Sequence, residues 1–232
     1  LYDLEYLVDE TGRRVAAFGY WAGYVGAAVA LFAWAAQRRG TPAPAMHVFP
    51  NANALLADLQ EAMVGAAPGE RPVAIVIGTG ASDLCTAMGV PVTGWDMAET
   101  AHGGPFPEIL SHDIFLNCIL AGPGTPVLVP ADALDLPRRL SVVGDIACDP
   151  GSSYNPVPIY DRATTWETPA LRVRDTPPLD VTAIDNLPSM LPLESSEDFA
   201  AQLLPSLRAL DRLDRGVWAR ARDTFETHIA EV

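Results

Sequence analysis

The chain has 232 residues, 49% of them hydrophobic. It can therefore bury a sizeable core, and it is long for one domain but short for two complete ones, so one full domain plus pieces of another is expected. A net charge of −14 and a pI near 4.5 repel phosphate backbones, which excludes nucleic acid as the main ligand and leaves a few local arginines to hold any anionic small molecule. Cys85, Cys118 and Cys148 lie in apolar surroundings without CxxC spacing. They fit a reducing, cytoplasmic setting with thiols packed as small hydrophobes, and no metal site is expected. No basic segment precedes a short apolar stretch, so no secretory signal is expected, and the opening Leu1-Tyr2-Asp3-Leu4 reads as the interior of a longer protein.

In chain order, residues 4–18 read as two short strands about the turn Asp9-Glu10-Thr11-Gly12. Residues 15–37 carry no charge, contain Gly19-x-x-x-Gly23 and are flanked by arginines, which meets the membrane-span criterion of roughly 20 apolar residues. The run is rich in Ala and Gly rather than Leu and Ile, which weakens its transfer into lipid. A buried helix over about 21–38, with a glycine and alanine face suited to close packing, is the better reading, and no membrane partner is expected. Residues 53–64 follow a helical period, with Leu55, Leu56, Leu59 and Met63 on one core-facing stripe.

From Pro72 the rhythm becomes strand, helix, strand: strands at 73–77, 92–95, 114–119, 140–146 and 181–184, with a short helix at 82–88. Near-continuous apolar strands with long connections imply an α/β fold, a Rossmann-like parallel sheet covered on both faces. Ligands of such sheets lie at the carboxyl ends of the strands, which places Gly78, Asp96, Leu120, residues 145–149 and Asp185 along one rim. The tail turns helical from about 194 and again from about 217. Residues 21–191 are thus expected to be a dinucleotide-binding domain, with 1–20 and 192–232 remnants of a second α/β domain.

The run Val73-Ala74-Ile75-Val76-Ile77-Gly78-Thr79-Gly80, followed by Val92-Thr93-Gly94-Trp95-Asp96, carries the chemistry. An acid at the tip of a second strand, roughly 20 residues after the first glycine, is what a dinucleotide site uses to bind ribose hydroxyls. A 2′-phosphate beside Asp96 would meet like charge, so NAD is favoured over NADP. Each piece alone has a plain alternative: GxG occurs in many turns, Arg13 and Arg14 are compatible with solvated charges, Asp185 with an Asx turn, and Cys148 with a packed thiol.

Longer blocks narrow the choice. Leu1-Tyr2-Asp3-Leu4-Glu5-Tyr6-Leu7, Gly12-Arg13-Arg14-Val15-Ala16-Ala17-Phe18-Gly19, Trp95-Asp96 with Glu99-Thr100, Gly103-Gly104-Pro105-Phe106, Asn155-Pro156-Val157-Pro158-Ile159-Tyr160 and Ile184-Asp185-Asn186-Leu187-Pro188-Ser189 occur in this order over essentially the whole chain. They resemble the lysine-forming, NAD-dependent saccharopine dehydrogenases, relatives of alanine dehydrogenase and the transhydrogenases. The resemblance implies reversible oxidative deamination of saccharopine to lysine and 2-oxoglutarate, with two α/β domains and the site in the cleft between them.

It further implies that Asp96 and Thr100 hold the adenosine half of NAD after the turn Gly78-Thr79-Gly80, that Arg13 reaches NAD, and that Leu120, Ile146 and Ile184-Asp185-Asn186-Leu187 line the rest of the groove. Arg14 and Phe18 would contact the substrate, with Ala147, Cys148 and Asp149 nearby. A guanidinium suits a substrate with three carboxylates.

Two departures stand out. The family's glycine-rich loop is longer than Gly78-Thr79-Gly80-Ala81, so either loop residues are missing from the sequence in hand, the favoured reading, or the loop is deleted. The family's proposed acid and base, a lysine and a histidine, would lie upstream of Leu1, and none of His47, His102, His112 and His228 is well placed to replace them. A non-catalytic NAD-binding fragment and an opine- or alanine-type dehydrogenase are the alternatives.

Overall fold

The computed structural model describes residues 2–66 and 69–230; Leu1 of the opening block lies outside them. It divides into two compact units, Leu1–Phe18 with Leu193–Val232, and Gly19–Pro192.

The larger unit begins with helix α1, Gly19–Arg39, and α2, Ala52–Ala66. There follow β1 (Ala74–Ile77), α3 (Ala81–Ala87), β2 (Val92–Trp95), the short helices α4 (Met97–Thr100) and α5 (Pro107–Ser111), β3 (Ile114–Asn117), β4 (Val142–Asp145), β5 (Leu171–Asp175) and β6 (Pro178–Thr182). The sheet order is β2-β1-β3-β4-β6-β5, parallel except for β5, which returns antiparallel on β6 as an edge strand. From β1 the chain steps outward to β2 and then crosses back to β3 on the other side of β1. The crevice at that reversal is where open α/β sheets bind ligands.

Strand alternation feeds two cores. Ala74, Val76, Ile114, Leu116 and Val142 face α1, α2 and α3, while Ile75, Ile77, Phe115, Val143 and Val181 face a layer containing Phe106, Ile109 and Leu128. Helix α1 is long and apolar enough to cross a membrane by length and composition, yet 78% of its most apolar 18-residue window is buried. Its small residues explain why it lies so close to the sheet. A Cβ on Gly26 would sit 2.3 Å from Ile146 Cγ1, and one on Gly144 of β4 would sit 3.2 Å from Ala30 Cβ. At Gly23 a Cβ would meet the Thr79 carbonyl at 2.4 Å, whereas at Gly19 it would meet nothing within 4 Å.

The strand expected at 140–146 is shorter, 142–145, and that at 114–119 stops at 117. The strand expected at 181–184 is β6 and starts earlier, at Pro178. Strand β5 escaped sequence reading because its polar residues, Arg172, Arg174 and Asp175, occupy a solvent-facing edge.

In the smaller unit, the two strands expected about Asp9 reduce to a single antiparallel bridge, Val8 to Arg14, preceded by a 3-10 turn at Leu4–Tyr6. Local hydrogen bonding wins there: Asp3 accepts the Glu5 amide at 2.9 Å. After the bridge, the Ala17 amide donates to Gln202 at 3.1 Å instead of to a strand partner. The turn itself stands, with Asp9 accepting the amides of Thr11 and Arg13 at 2.8 and 3.0 Å. Helices α6 (Pro192–Leu207) and α7 (Gly216–Ala230) bury Leu203, Trp218 and Ala221 around Leu7 and Ala16.

Candidate functional site

The register of the sheet brings the sequence motif together. Ile77 pairs with Trp95, and the Gly78 amide donates to the Trp95 carbonyl, so the glycine turn lies beside the Asp96 tip. Ile77 also pairs with Asn117, setting the turn against the end of β3, where a Cβ on Gly78 would lie 2.9 Å from Cys118 Cβ. Asn117 in turn pairs with Asp145 at the tip of β4. The carboxyl rim therefore runs from Asp96 through residues 78–80, 118–120 and 146–149 to 183–187.

Asp96 is exposed and caps α4: its carboxylate accepts the Met97 amide at 2.7 Å, and Glu99 reciprocates by accepting the Asp96 amide at 2.7 Å. A capping box is the local reason for the acid at this position. The carboxylate is exposed at the strand tip, so Asp96 can face vicinal ribose hydroxyls as well as cap the helix. Thr100 sits on the same short helix, its hydroxyl within 3.4 Å of the Met97 carbonyl.

The pyrophosphate end is tighter. Gly78 and Gly80 take φ of 108° and 88°, a region that favours glycine. Their open faces are filled by protein: Cys118 lies against Gly78, and the Tyr20 carbonyl would stand 2.3 Å from a Gly80 Cβ. The Ala81 amide, first in α3, hydrogen-bonds to the Cys118 sulfur, a thiol whose pKa burial pushes up to about 12. Asp83 in the first turn of α3 accepts from the Tyr20 hydroxyl at 2.7 Å. The turn therefore packs against protein on both glycine faces and leaves little room for a pyrophosphate, in line with the abbreviated motif.

At β4, a buried polar cluster that sequence reasoning missed orders the rim. Asp145, 2% exposed, accepts Asn117 Nδ2 at 2.9 Å and the Tyr160 hydroxyl at 2.7 Å. Burial raises the Asp145 carboxyl above its ordinary range, and the two donors only partly oppose it. Tyr160 is raised too, first by burial and then by the Asp145 charge. The cluster ties the chain entering residues 146–149 to the Asn155–Tyr160 block. Cys148 is half-buried and pushed up to about 12 by burial and by its acidic neighbours, so it is a poor nucleophile. The Asn155-Pro-x-Pro block was visible in sequence; its use as a strut was not.

Along the remaining rim, Leu120 is 87% exposed, whereas Ile184 and Leu187 are buried. Ile146 and Leu187 both touch the Gly26 face of α1. Asp185 and Asn186 are exposed and help line an open cavity of about 320 Å³ with residues 164–167. Ala147 and Asp149 follow β4 on the same edge. Arg13, Arg14 and Phe18 belong to the smaller unit: both arginines are exposed, Arg14 pairs with Glu5 at 3.3 Å, and Phe18 stacks on Phe199 with centroids 4.4 Å apart. No three His, Cys, Asp or Glu side chains cluster as metal ligands among the described residues.

A switch-point crevice, a glycine turn and an acid one strand away define a Rossmann-like α/β domain. L-alanine dehydrogenase shares the fold, with a TM-score of 0.55 at 17% identity over 89% of this chain and 57% of that one. No family model matches the chain. Its sequence is 47% identical over 99% of its length to the NAD(+), L-lysine-forming saccharopine dehydrogenase of Neurospora crassa, and 41% identical over its whole length to those of Schizosaccharomyces pombe and Yarrowia lipolytica. The chain belongs to this family of NAD-dependent oxidoreductases of lysine metabolism. It spans about two thirds of the length of these relatives, 66% of the first and 68% of the other two. The alignments run over 247 to 251 positions against 232 residues, so the relatives carry residues within the matched stretch that this chain lacks.

Proposed function

We propose that the protein catalyses the family reaction, in which saccharopine, NAD+ and water give L-lysine, 2-oxoglutarate, NADH and a proton. The observation that carries this reading is identity of 38–47% to saccharopine dehydrogenases along the whole chain, together with Asp96 placed by register beside the glycine turn. NAD+ supplies, when bound, the hydride acceptor. Asp96 accepts ribose hydroxyls, Thr100 and Arg13 assist at the cofactor, and residues 78–80 form the turn at the pyrophosphate end. Leu120, Ile146 and residues 184–187 border the nicotinamide half, with Asp145, Asn117 and Tyr160 holding the adjoining chain in place. Arg14 and Phe18 contact the substrate, and Ala147, Cys148 and Asp149 are assigned to the substrate by the same family resemblance.

A base must take the amine proton and later activate water. The sequence contains no lysine, so the lysine that the family resemblance pairs with a histidine is not among these 232 residues. The test is NADH oxidation by the purified protein with lysine and 2-oxoglutarate, with the intact mass recorded on the same sample. Turnover at a mass well above 24.7 kDa supports the full reaction. Absence of turnover at that mass, with NADH still bound, replaces it by cofactor binding alone.

A further inference from the structure

A cavity of about 430 Å³ opens at the edge of the sheet opposite the carboxyl rim, where the chain enters β1, β3, β4 and β6 beneath the last turns of α1. Its volume falls in the ordinary range for small-molecule sites, roughly 300–1,000 Å³. Arg38, Arg71, Arg138 and Arg139 line it, against two acids, Glu70 and Asp113. For a chain of net charge −14 this is a local inversion of sign.

Both acids are already engaged. Arg38 pairs with Glu70 at 2.8 Å and Arg139 with Asp113 at 2.7 Å. Arg71 is exposed and donates only to the Glu70 carbonyl at 3.1 Å, with no carboxylate in ion-pair reach among the described residues. Arg138 is half-buried, its guanidinium held by the carbonyls of Leu140, Pro177 and Pro178, and its Nε is buried without a partner. Burial and the nearby Arg174 both act to lower the Arg138 pKa, which marks a cation held at a cost. The carbonyl end of α1 opposes an anion here, but its last turn carries two arginines, Arg38 and Arg39, and Glu70 pairs with only the first. Two guanidinium groups thus face one cavity without neutralising carboxylates. The indole of Trp34 forms an apolar wall, with Arg38 6.0 Å above its ring centre.

We propose that this cavity binds a compact anion carrying at least two negative charges, as carboxylates or phosphate. A single charge would offset one of the two unneutralised cations, whereas a dianion offsets both, and the exposed guanidinium of Arg71 suits either chemistry. Because the cavity lies at the amino ends of the strands, it can be filled while the carboxyl rim holds a dinucleotide.

The test titrates the purified protein, saturated with NADH, with inorganic pyrophosphate and separately with citrate at constant ionic strength, reading heat. Saturable binding of either probe is expected, weakened about tenfold or more in Arg71→Gln, the loss typical of one charge-assisted contact. The NADH affinity of that variant should equal wild type. Pyrophosphate alone binding assigns the site to phosphates, and citrate alone assigns it to carboxylates. Absence of saturable binding by both, or equal affinity in Arg71→Gln, overturns the proposal. Arg71 is exposed, so the variant is expected to fold, and the comparison stands even if NADH does not bind.

Discussion

Replacing Gly23 with alanine pits helix propensity against close packing at the dinucleotide turn. Alanine is favoured over glycine in a helix interior by about 1 kcal/mol, so propensity alone makes Gly23→Ala stabilising. The structure opposes it. The new Cβ would lie 2.4 Å from the Thr79 carbonyl oxygen, 3.0 Å from the Ala81 nitrogen and 3.2 Å from Gly80 Cα. All three are backbone atoms, so no side chain can swing aside, and relief requires α1 or the turn to move by about 1 Å. Overpacking of this kind costs about 1–3 kcal/mol, and a contact as short as this belongs at the upper end. The expected net loss is about 2 kcal/mol, or roughly 1 M in the urea midpoint for a typical slope. Gly19→Ala is the matched control, since nothing lies within 4 Å of its Cβ. Urea unfolding followed by tryptophan fluorescence should lower the midpoint for Gly23→Ala and leave Gly19→Ala within about 0.5 kcal/mol of wild type. Because the displaced atoms belong to residues 79–81, NADH titration should also show weaker binding for Gly23→Ala only. Equal or greater stability of Gly23→Ala, with unchanged NADH affinity, would refute the close-packing argument.

Asp96→Ala removes a cap and the ribose acceptor together, so NADH affinity should fall about 10- to 100-fold while stability drops by only about 1 kcal/mol; fluorescence titration beside urea unfolding separates the two. Arg14→Ala loses an exposed ion pair with Glu5, so its melting temperature should match wild type. Steady-state kinetics should show the KM for saccharopine rising about tenfold or more with that for NAD little changed, and equal rises in both would count against a substrate clamp. The raised Asp145 carboxyl means that the folded state binds its proton more tightly than the unfolded state, whose ordinary value is 3.8. Its contribution to stability is thus fully present below that value and is lost as pH rises through the folded pKa. Urea midpoints measured from pH 3 upward should show this fall, and Asp145→Asn should abolish it. Tyr160→Phe removes one donor to the carboxylate, so it should move the same fall to higher pH and cost about 1–3 kcal/mol at neutral pH.

The local elements were legible in the sequence because their signals are local. The apolar run 73–77 ending in glycines, the strand 92–95 and the helices expected over about 21–38, 53–64 and from about 194 follow from periodicity, glycine stops and acids at helix starts. The ordered motif blocks likewise carried the family. Asp96 could be marked as a candidate because strand tips and spacing are one-dimensional properties.

What pairs with what is not one-dimensional. Only strand register sets Gly78 beside Trp95 and Asn117 beside Asp145, and only the crossing of α1 over the sheet requires glycine at 23 and 26 but not at 19. The Asn117–Asp145–Tyr160 cluster joins residues up to 43 positions apart in numbering, held because a buried carboxylate must find donors wherever the fold supplies them. The arginine cavity gathers residues from 34 to 178 for the same reason in reverse: the amino ends of distant strands converge, and charges that are unremarkable in sequence become neighbours. Chain-local chemistry determined the elements, and long-range hydrogen bonding and packing decided which of their side chains share a site.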